Sequence, residues 1–190
     1  FADGLGVFNA AAFFSDYEAP LITDQNPFLF VDNAPDAEAR GFEFETSYSF
    51  NENISAYATY AYTETEFVED SQYYPAQPVL KGNPMAGIPE HQWAVGVDTN
   101  QTLSSGWELL GHASYSFTDE RYSNSSGNDN RLMGELGLLN LKLTLTSDSG
   151  YSFGIFVDNA LNDVESTGYY SLGSDAAGES DPTASIPSMP

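Results

Sequence analysis

Apolar and polar residues alternate strictly along six segments of the chain, and we expect a seventh strand before them, near its start. In residues 42–50 the rings of Phe42, Phe44 and Tyr48 alternate with Glu and Ser, and in residues 139–146 four leucines alternate with Asn, Lys and Thr. Successive side chains of a β-strand point to opposite faces of the sheet. The pattern therefore predicts strands that have one apolar and one polar face.

The seven predicted strands are joined alternately by short and long connections. They are expected near residues 5–17, 39–50, 54–66, 91–99, 107–122, 136–146 and 151–160. The short connections, 51–53, 100–106 and 147–150, contain the Asn, Ser and Gly residues that favour hairpin turns. The long ones are residues 18–38, 67–90, 123–135 and 161 onward. This alternation is typical of outer-membrane β-barrels, which have short periplasmic turns and long outer loops.

The predicted apolar face begins at Phe42 on the second strand, ends at Tyr62 on the third and continues through strands four to seven, and none of its residues is charged. On the first strand we expect Phe8, Ala10, Ala12 and Phe14 on one face. A Lys or Arg at the middle of a bilayer costs about 2–4 kcal/mol, so a charge-free face is what lipid requires. No run of 18 apolar residues exists that could form a transmembrane helix. The predicted fold class is all-β, a segment of an antiparallel transmembrane β-barrel with about seven strands.

The predicted strands also suggest how the chain is organised. Bacterial single-chain barrels have an even number of strands, and open strand edges cannot face lipid. We therefore expect residues 1–163 to form barrel wall with long outer loops, and residues 164–190 to form an outer loop that leads to a missing last strand. No plug domain is expected within this chain.

Charge and composition exclude several classes of function. The chain has 28 Asp and Glu against 5 Lys and Arg, which disfavours nucleic-acid binding because that rests on Lys and Arg. Its aromatic content of 14% is too high for an acidic disordered segment. It has no cysteine, which excludes disulfides and Cys-based metal sites.

Eight phrases of the sequence, in order, resemble the C-terminal part of the barrel of TonB-dependent outer-membrane receptors. They are LGVFNAAAFFSDY (5–17), ARGFEFE (39–45), SAYATYAYTETEF (55–67), GIPEH (87–91), GWEL (106–109), YSFTDERY (115–122), LLNLKL (138–143) and VDNALND (157–163). The resemblance implies a 22-stranded barrel in the bacterial outer membrane. It also implies contact with membrane lipid, and energy coupling to a TonB complex through an N-terminal region that includes the plug.

Candidate functional residues fall into two groups, and neither includes catalytic residues. The sequence contains no catalytic or nucleotide-binding motif, so we predict neither enzymatic activity nor a cofactor. The candidate ligand-binding residues are the aromatic residues of the outer loops: Phe28, Phe30, Tyr73, Tyr74, Tyr169 and Tyr170. The predicted lumen-facing residues are Glu43, Glu45, Glu108, His112 and Lys142. His112 and His91 are interpreted as hydrogen-bonding side chains rather than metal ligands.

The resemblance favours a receptor that imports a scarce nutrient. The ligand would be an iron–siderophore complex first, or haem, cobalamin or an oligosaccharide. Two alternatives stay open within membranes, a passive porin and an adhesion barrel. A third belongs to another class: a secreted acidic β-sandwich that binds carbohydrate.

Overall fold

The structure, a computed structural model, describes residues 1–24, 30–71, 79–127, 132–171 and 183–187. Within these ranges it contains one short 3-10 helix, Ala2–Gly4, and thirteen strands. The strands are β1 (Gly6–Tyr17), β2 (Leu21–Asp24), β3 (Phe30–Asn33), β4 (Ala37–Asn51), β5 (Ile54–Phe67), β6 (His91–Thr102), β7 (Glu108–Thr118), β8 (Arg121–Tyr122), β9 (Leu132–Met133), β10 (Leu136–Thr146), β11 (Ser152–Val157), β12 (Ser166–Ser171) and β13 (Thr183–Pro187). No helix in the described ranges is long and apolar enough to cross a membrane.

Seven long strands form one antiparallel sheet in the order β1-β4-β5-β6-β7-β10-β11. Apart from the short strands in the long connections, each strand pairs with the next one along the chain. This confirms the predicted fold class and the seven predicted strands. The sheet presents β1 and β11 as its two edges.

Several predicted boundaries move in the structure. The fifth predicted strand ends at Thr118 instead of residue 122, because Arg121–Tyr122 leave the sheet and pair with Leu132–Met133. The seventh ends at Val157 instead of residue 160. Asn159 has a φ of 51°, which breaks the extended conformation of the chain.

Three long connections that were predicted to be loops contain short hairpins. β2 pairs with β3, β8 with β9, and β12 with β13, each as a two-stranded sheet apart from the main one. All three lie at the end of the sheet opposite the short turns. We call these two ends the loop end and the turn end.

The main sheet has almost no buried core. Only six apolar side chains of the described residues are buried, and each belongs to the loop end: Ala34, Ala37, Ala39, Phe67, Val79 and Met133. The chain exposes 12083 Å² of surface, whereas a compact monomer of its mass, 20.6 kDa, would expose about 8,900 Å². Among the described residues, no second layer of protein covers the sheet.

Candidate functional site

The register of the sheet separates two chemically different faces. Residues directly opposite each other in an antiparallel pair share a face. One cross-strand row runs through Phe8, Thr46, Ala58, Val95, Tyr115 and Leu139. The adjacent row, one residue along, runs through Asn9, Glu45, Thr59, Ala94, Ser116 and Leu138. The first row belongs to what we call the apolar face, and the second to the polar face.

The apolar face exposes large hydrophobic side chains along the length of the sheet. Val97, Leu141 and Ile155 are 48%, 40% and 70% exposed. Phe44 is half-buried by its neighbouring rings. A soluble protein would cover such a surface, because removing apolar area from water is the main stabilising term of folding.

Aromatic rings concentrate at both ends of the apolar face. At the loop end Trp93 lies 5.3 Å from the Tyr115 ring and 5.6 Å from the Phe117 ring, measured between centroids. At the turn end the Tyr48 ring lies 5.1 Å from that of Phe50. Girdles of aromatic rings on either side of an apolar band are typical of membrane barrels, whose headgroup regions suit amphipathic rings.

A charged pair marks where the apolar band ends. Arg40 Nη2 lies 2.5 Å from Glu64 Oε1, and Arg40 Nε donates to Oε2 at 3.0 Å. Between this pair and the turn end, the described apolar face carries no Asp, Glu, Lys or Arg. The ten residue-to-residue steps from Phe50 to Arg40 span roughly 25 Å along the membrane normal at a barrel's usual tilt, the height of a bilayer's apolar band. The pair thus lies just beyond the band.

The Arg40–Glu64 pair was not singled out in the sequence, although their register could have indicated it. The hydrogen bond from Arg40 and its charge hold the pKa of Glu64 below its usual value, and Tyr62 Oη adds a further hydrogen bond at 3.2 Å. The pair therefore stays ionised at neutral pH.

The polar face is concave and rich in hydrogen-bonding groups. A concavity of about 610 Å³ lies on its loop-end half, with polar lining side chains that include Asn9, Glu43, Glu45, Thr59 and Gln92. Asn9 Nδ2 donates to Glu45 Oε1 at 2.7 Å, and this contact ties β1 to β4.

The turn-end half of the polar face carries a second group of polar side chains. Asp98, His112 and Lys142 follow one another in a single cross-strand row. His112 Nδ1 and Asp98 Oδ1 are 2.7 Å apart. Lys142 is exposed at the other end of this row.

The structure places all five residues predicted to face a lumen on the polar face. Glu43 and Glu45 lie in its loop-end half, and His112, Lys142 and Glu108 lie towards the turn end. Whether this face lines a lumen stays a prediction. Among the described residues there is no group of three or more His, Asp or Glu side chains placed to hold a metal ion.

The structure does not describe the side chains of the six aromatic residues that are predicted to bind the ligand. Phe28, Tyr73 and Tyr74 lie outside the described residues. Phe30 belongs to β3, and Tyr169 and Tyr170 belong to β12, but the description of these three covers the backbone alone. Their role in binding stays a prediction.

At the loop end, the described parts of the long connections contact one another. Phe67 is fully buried and packs with Ala34, Ala37 and Val79, residues drawn from two different long connections. The third long connection joins them through hydrogen bonds from Gly87 N to the Tyr122 carbonyl at 2.8 Å. No local pattern in the sequence predicts this cluster.

The last described turn after β11 is held by a compact network. Asn159 Nδ2 donates to the carbonyl of Asp163 at 2.8 Å, and the Asp163 N–H donates to Asn159 Oδ1 at 3.0 Å. Asp163 Oδ2 accepts the N–H of Gly137 at 2.7 Å, and Asn140 Oδ1 accepts the N–H of Asn159 at 2.9 Å. The network anchors the end of β11 to the start of β10.

Comparison with solved structures supports this fold. The crystal structure of the ferric yersiniabactin uptake receptor FyuA from Yersinia pestis superposes with a TM-score of 0.74 at 17% sequence identity. The match covers 97% of this chain and 26% of the receptor, so the chain spans about a quarter of that protein's length. No curated protein sequence matches the chain.

A family profile described as "TonB dependent receptor-like, beta-barrel" matches residues 1–160. The match includes all seven strands of the main sheet. It confirms the resemblance found in the eight sequence phrases. This is a family of transport receptors of the bacterial outer membrane, and it is not an enzyme family. The chain therefore belongs to the TonB-dependent receptor family, of whose β-barrel it forms a part.

Proposed function

We propose that this chain is part of the barrel wall of a receptor that imports a scarce nutrient across the bacterial outer membrane. The observation that carries the proposal is the exposed apolar face, which is free of charge over roughly 25 Å and has aromatic rings at both ends. In this proposal the face contacts lipid, and the polar face lines the lumen. The alternative of a secreted β-sandwich lacks the second sheet that it would require among the described residues.

The proposal assigns separate tasks to parts of the chain. Residues 1–163 supply wall and outer loops, and residues 164–190 supply a further outer loop before the next strand of the barrel. The plug and the segment that contacts TonB belong to other parts of the receptor. The outer loops and the lumen bind the ligand, with Phe28, Phe30, Tyr73, Tyr74, Tyr169 and Tyr170 as candidate contacts.

An iron–siderophore complex is the ligand that we favour. The support is the likeness to FyuA, a ferric yersiniabactin uptake receptor. At 17% identity this likeness supports only the fold of the chain, so the ligand class is proposed separately. Haem, cobalamin or an oligosaccharide would enter by the same route.

Uptake in cells tests both the proposed import function and the proposed ligand class. The full-length receptor is expressed in a strain that lacks its own siderophore receptors, and uptake of ⁵⁵Fe-labelled catecholate, hydroxamate and carboxylate siderophores is measured with and without TonB. We expect uptake of one ferric complex that disappears when TonB is deleted. Passage that is independent of TonB would contradict the receptor and favour a passive porin. TonB-dependent uptake of haem, cobalamin or an oligosaccharide alone would contradict only the choice of an iron–siderophore complex.

A further inference from the structure

Two polar atoms in the third long connection are buried without a hydrogen-bond partner. They are Nη1 of Arg121 and Oγ of Ser123, and no group of the described chain reaches either of them. Buried polar groups of native proteins almost always have partners, and an exception calls for an explanation. Leaving the guanidinium nitrogen unpaired costs more free energy than leaving the hydroxyl unpaired, because the guanidinium brings part of a positive charge into a region that excludes water.

The segment that carries these atoms is well fixed. Arg121 pairs with Met133 between β8 and β9, and Met133 is buried. The carbonyl of Tyr122, between the two unpaired side chains, accepts the hydrogen bond from Gly87. Further along, the carbonyl of Ser125 accepts one from Asn83 Nδ2 at 3.1 Å. Fraying of a loose loop therefore does not account for the missing partners.

The absence of a carboxylate partner is unusual in so acidic a chain. Acidic residues outnumber basic ones 28 to 5, and the exposed Arg40 has a bidentate carboxylate partner in Glu64. Among the described residues, Arg40 forms a salt bridge with Glu64 and His112 contacts Asp98, and neither contact involves Arg121. The protein thus keeps an unpaired guanidinium nitrogen in its loops where Asp119 and Glu120 are adjacent in sequence.

We propose that Arg121 and Ser123 form a binding site for a carboxylate group of the imported ligand. The Arg121 guanidinium N–H and the Ser123 hydroxyl are two unpaired donors within three consecutive residues, and a carboxylate offers two acceptor oxygens. The site rests on the proposed function and deepens it, because it specifies a ligand that bears a carboxylate. Since both atoms are shielded from solvent, the carboxylate enters when the structure opens around residues 121–123.

The test uses the purified full-length receptor and sodium citrate as the carboxylate probe. Binding of citrate and of inorganic phosphate is measured by calorimetry at matched ionic strength for the wild type, Arg121→Met and Ser123→Ala. The control is Arg40→Met, which removes the same charge at an exposed and paired site. We expect Arg121→Met to weaken citrate binding at least about tenfold, since a charge-assisted hydrogen bond is lost. Ser123→Ala weakens it less, and Arg40→Met leaves it unchanged.

A second readout separates a ligand site from a structural arginine. Without citrate, amide exchange in residues 119–127 is expected to be slower in Arg121→Met than in the wild type, because methionine has no unpaired buried donor. Faster exchange in Arg121→Met would assign Arg121 a structural role and overturn the proposal. Citrate binding that is equal in both proteins, absent from both, or weaker than phosphate binding would overturn it too.

These failures differ from a failure of the proposed function. TonB-dependent uptake in cells is measured independently of citrate binding. If uptake depends on TonB while Arg121→Met binds citrate like the wild type, only the carboxylate site is wrong. If uptake is independent of TonB, the import receptor itself is wrong.

Discussion

A charge placed at the middle of the apolar face tests how deeply that face lies in hydrocarbon. Leu141 is the central residue of β10, five residues from either end of the strand, and 40% of its side chain is exposed between Ala113 and Val157. At about 3.3 Å per residue and a tilt of about 40°, it lies roughly 13 Å from each end, close to the bilayer midplane. Leu141→Arg should therefore lower the free energy of unfolding by about 2–4 kcal/mol.

The assay is guanidinium unfolding of the full-length receptor from phospholipid vesicles. Thr144→Arg is the matched control, because Thr144 lies on the polar face of the same strand, two residues beyond the natural Lys142. We expect the control to unfold within about 0.5 kcal/mol of the wild type, as most surface substitutions do. The reasoning is refuted if Leu141→Arg is as stable as the control, or if Thr144→Arg is the more damaging of the two.

Three further predictions concern single contacts. Asn159→Ala removes two side-chain hydrogen bonds from a residue with a positive φ, so it should cost about 1–3 kcal/mol and speed amide exchange in residues 136–163; unchanged exchange would show that the network is dispensable. Gly96→Ala should cost about 1–3 kcal/mol, because a Cβ there would lie 2.2 Å from the Tyr57 ring. Tyr57→Ser in the same molecule should remove most of that cost, and additive effects in the double-mutant cycle would contradict the clash. The lowered pKa of Glu64 means that its pair with Arg40 stabilises the protein above the carboxyl's unfolded pKa and that this contribution disappears as the pH falls through the folded pKa. Isotope-edited infrared titration should show the pKa of Glu64 rising in Arg40→Gln, and an unchanged titration would exclude the pair as the cause.

The sequence was sufficient to predict the strands of the main sheet, because each long strand is determined by the alternation of its own residues. Alternation in residues 136–146 predicts β10 with both boundaries correct, since every second side chain must be apolar wherever lipid or a core covers one face. The register also follows, because short turns such as residues 147–151 leave little freedom in pairing. The two faces of the sheet were therefore predictable without a structure.

The loop end was not predictable in the same way. Leu21–Asp24 and Phe30–Asn33 form a hairpin, but each strand is too short to show a period. Phe67 is buried by residues from distant connections, and this contact depends on tertiary structure alone. Arg121 gives no signal in the sequence either, because its missing partner appears only when its surroundings are known.

The most direct test of the central claim is the environment of two adjacent side chains on β10. A spin label is attached at Leu141→Cys or at Lys142→Cys, one on each face, and any other cysteine of the receptor is replaced by serine. In the full-length receptor reconstituted in phospholipid bilayers, collision rates with oxygen and with a water-soluble nickel chelate are measured for each label. We predict that the label at residue 141 collides mainly with oxygen and that the label at residue 142 collides mainly with the nickel chelate. Equal access of the nickel chelate to both labels would contradict a lipid-facing sheet.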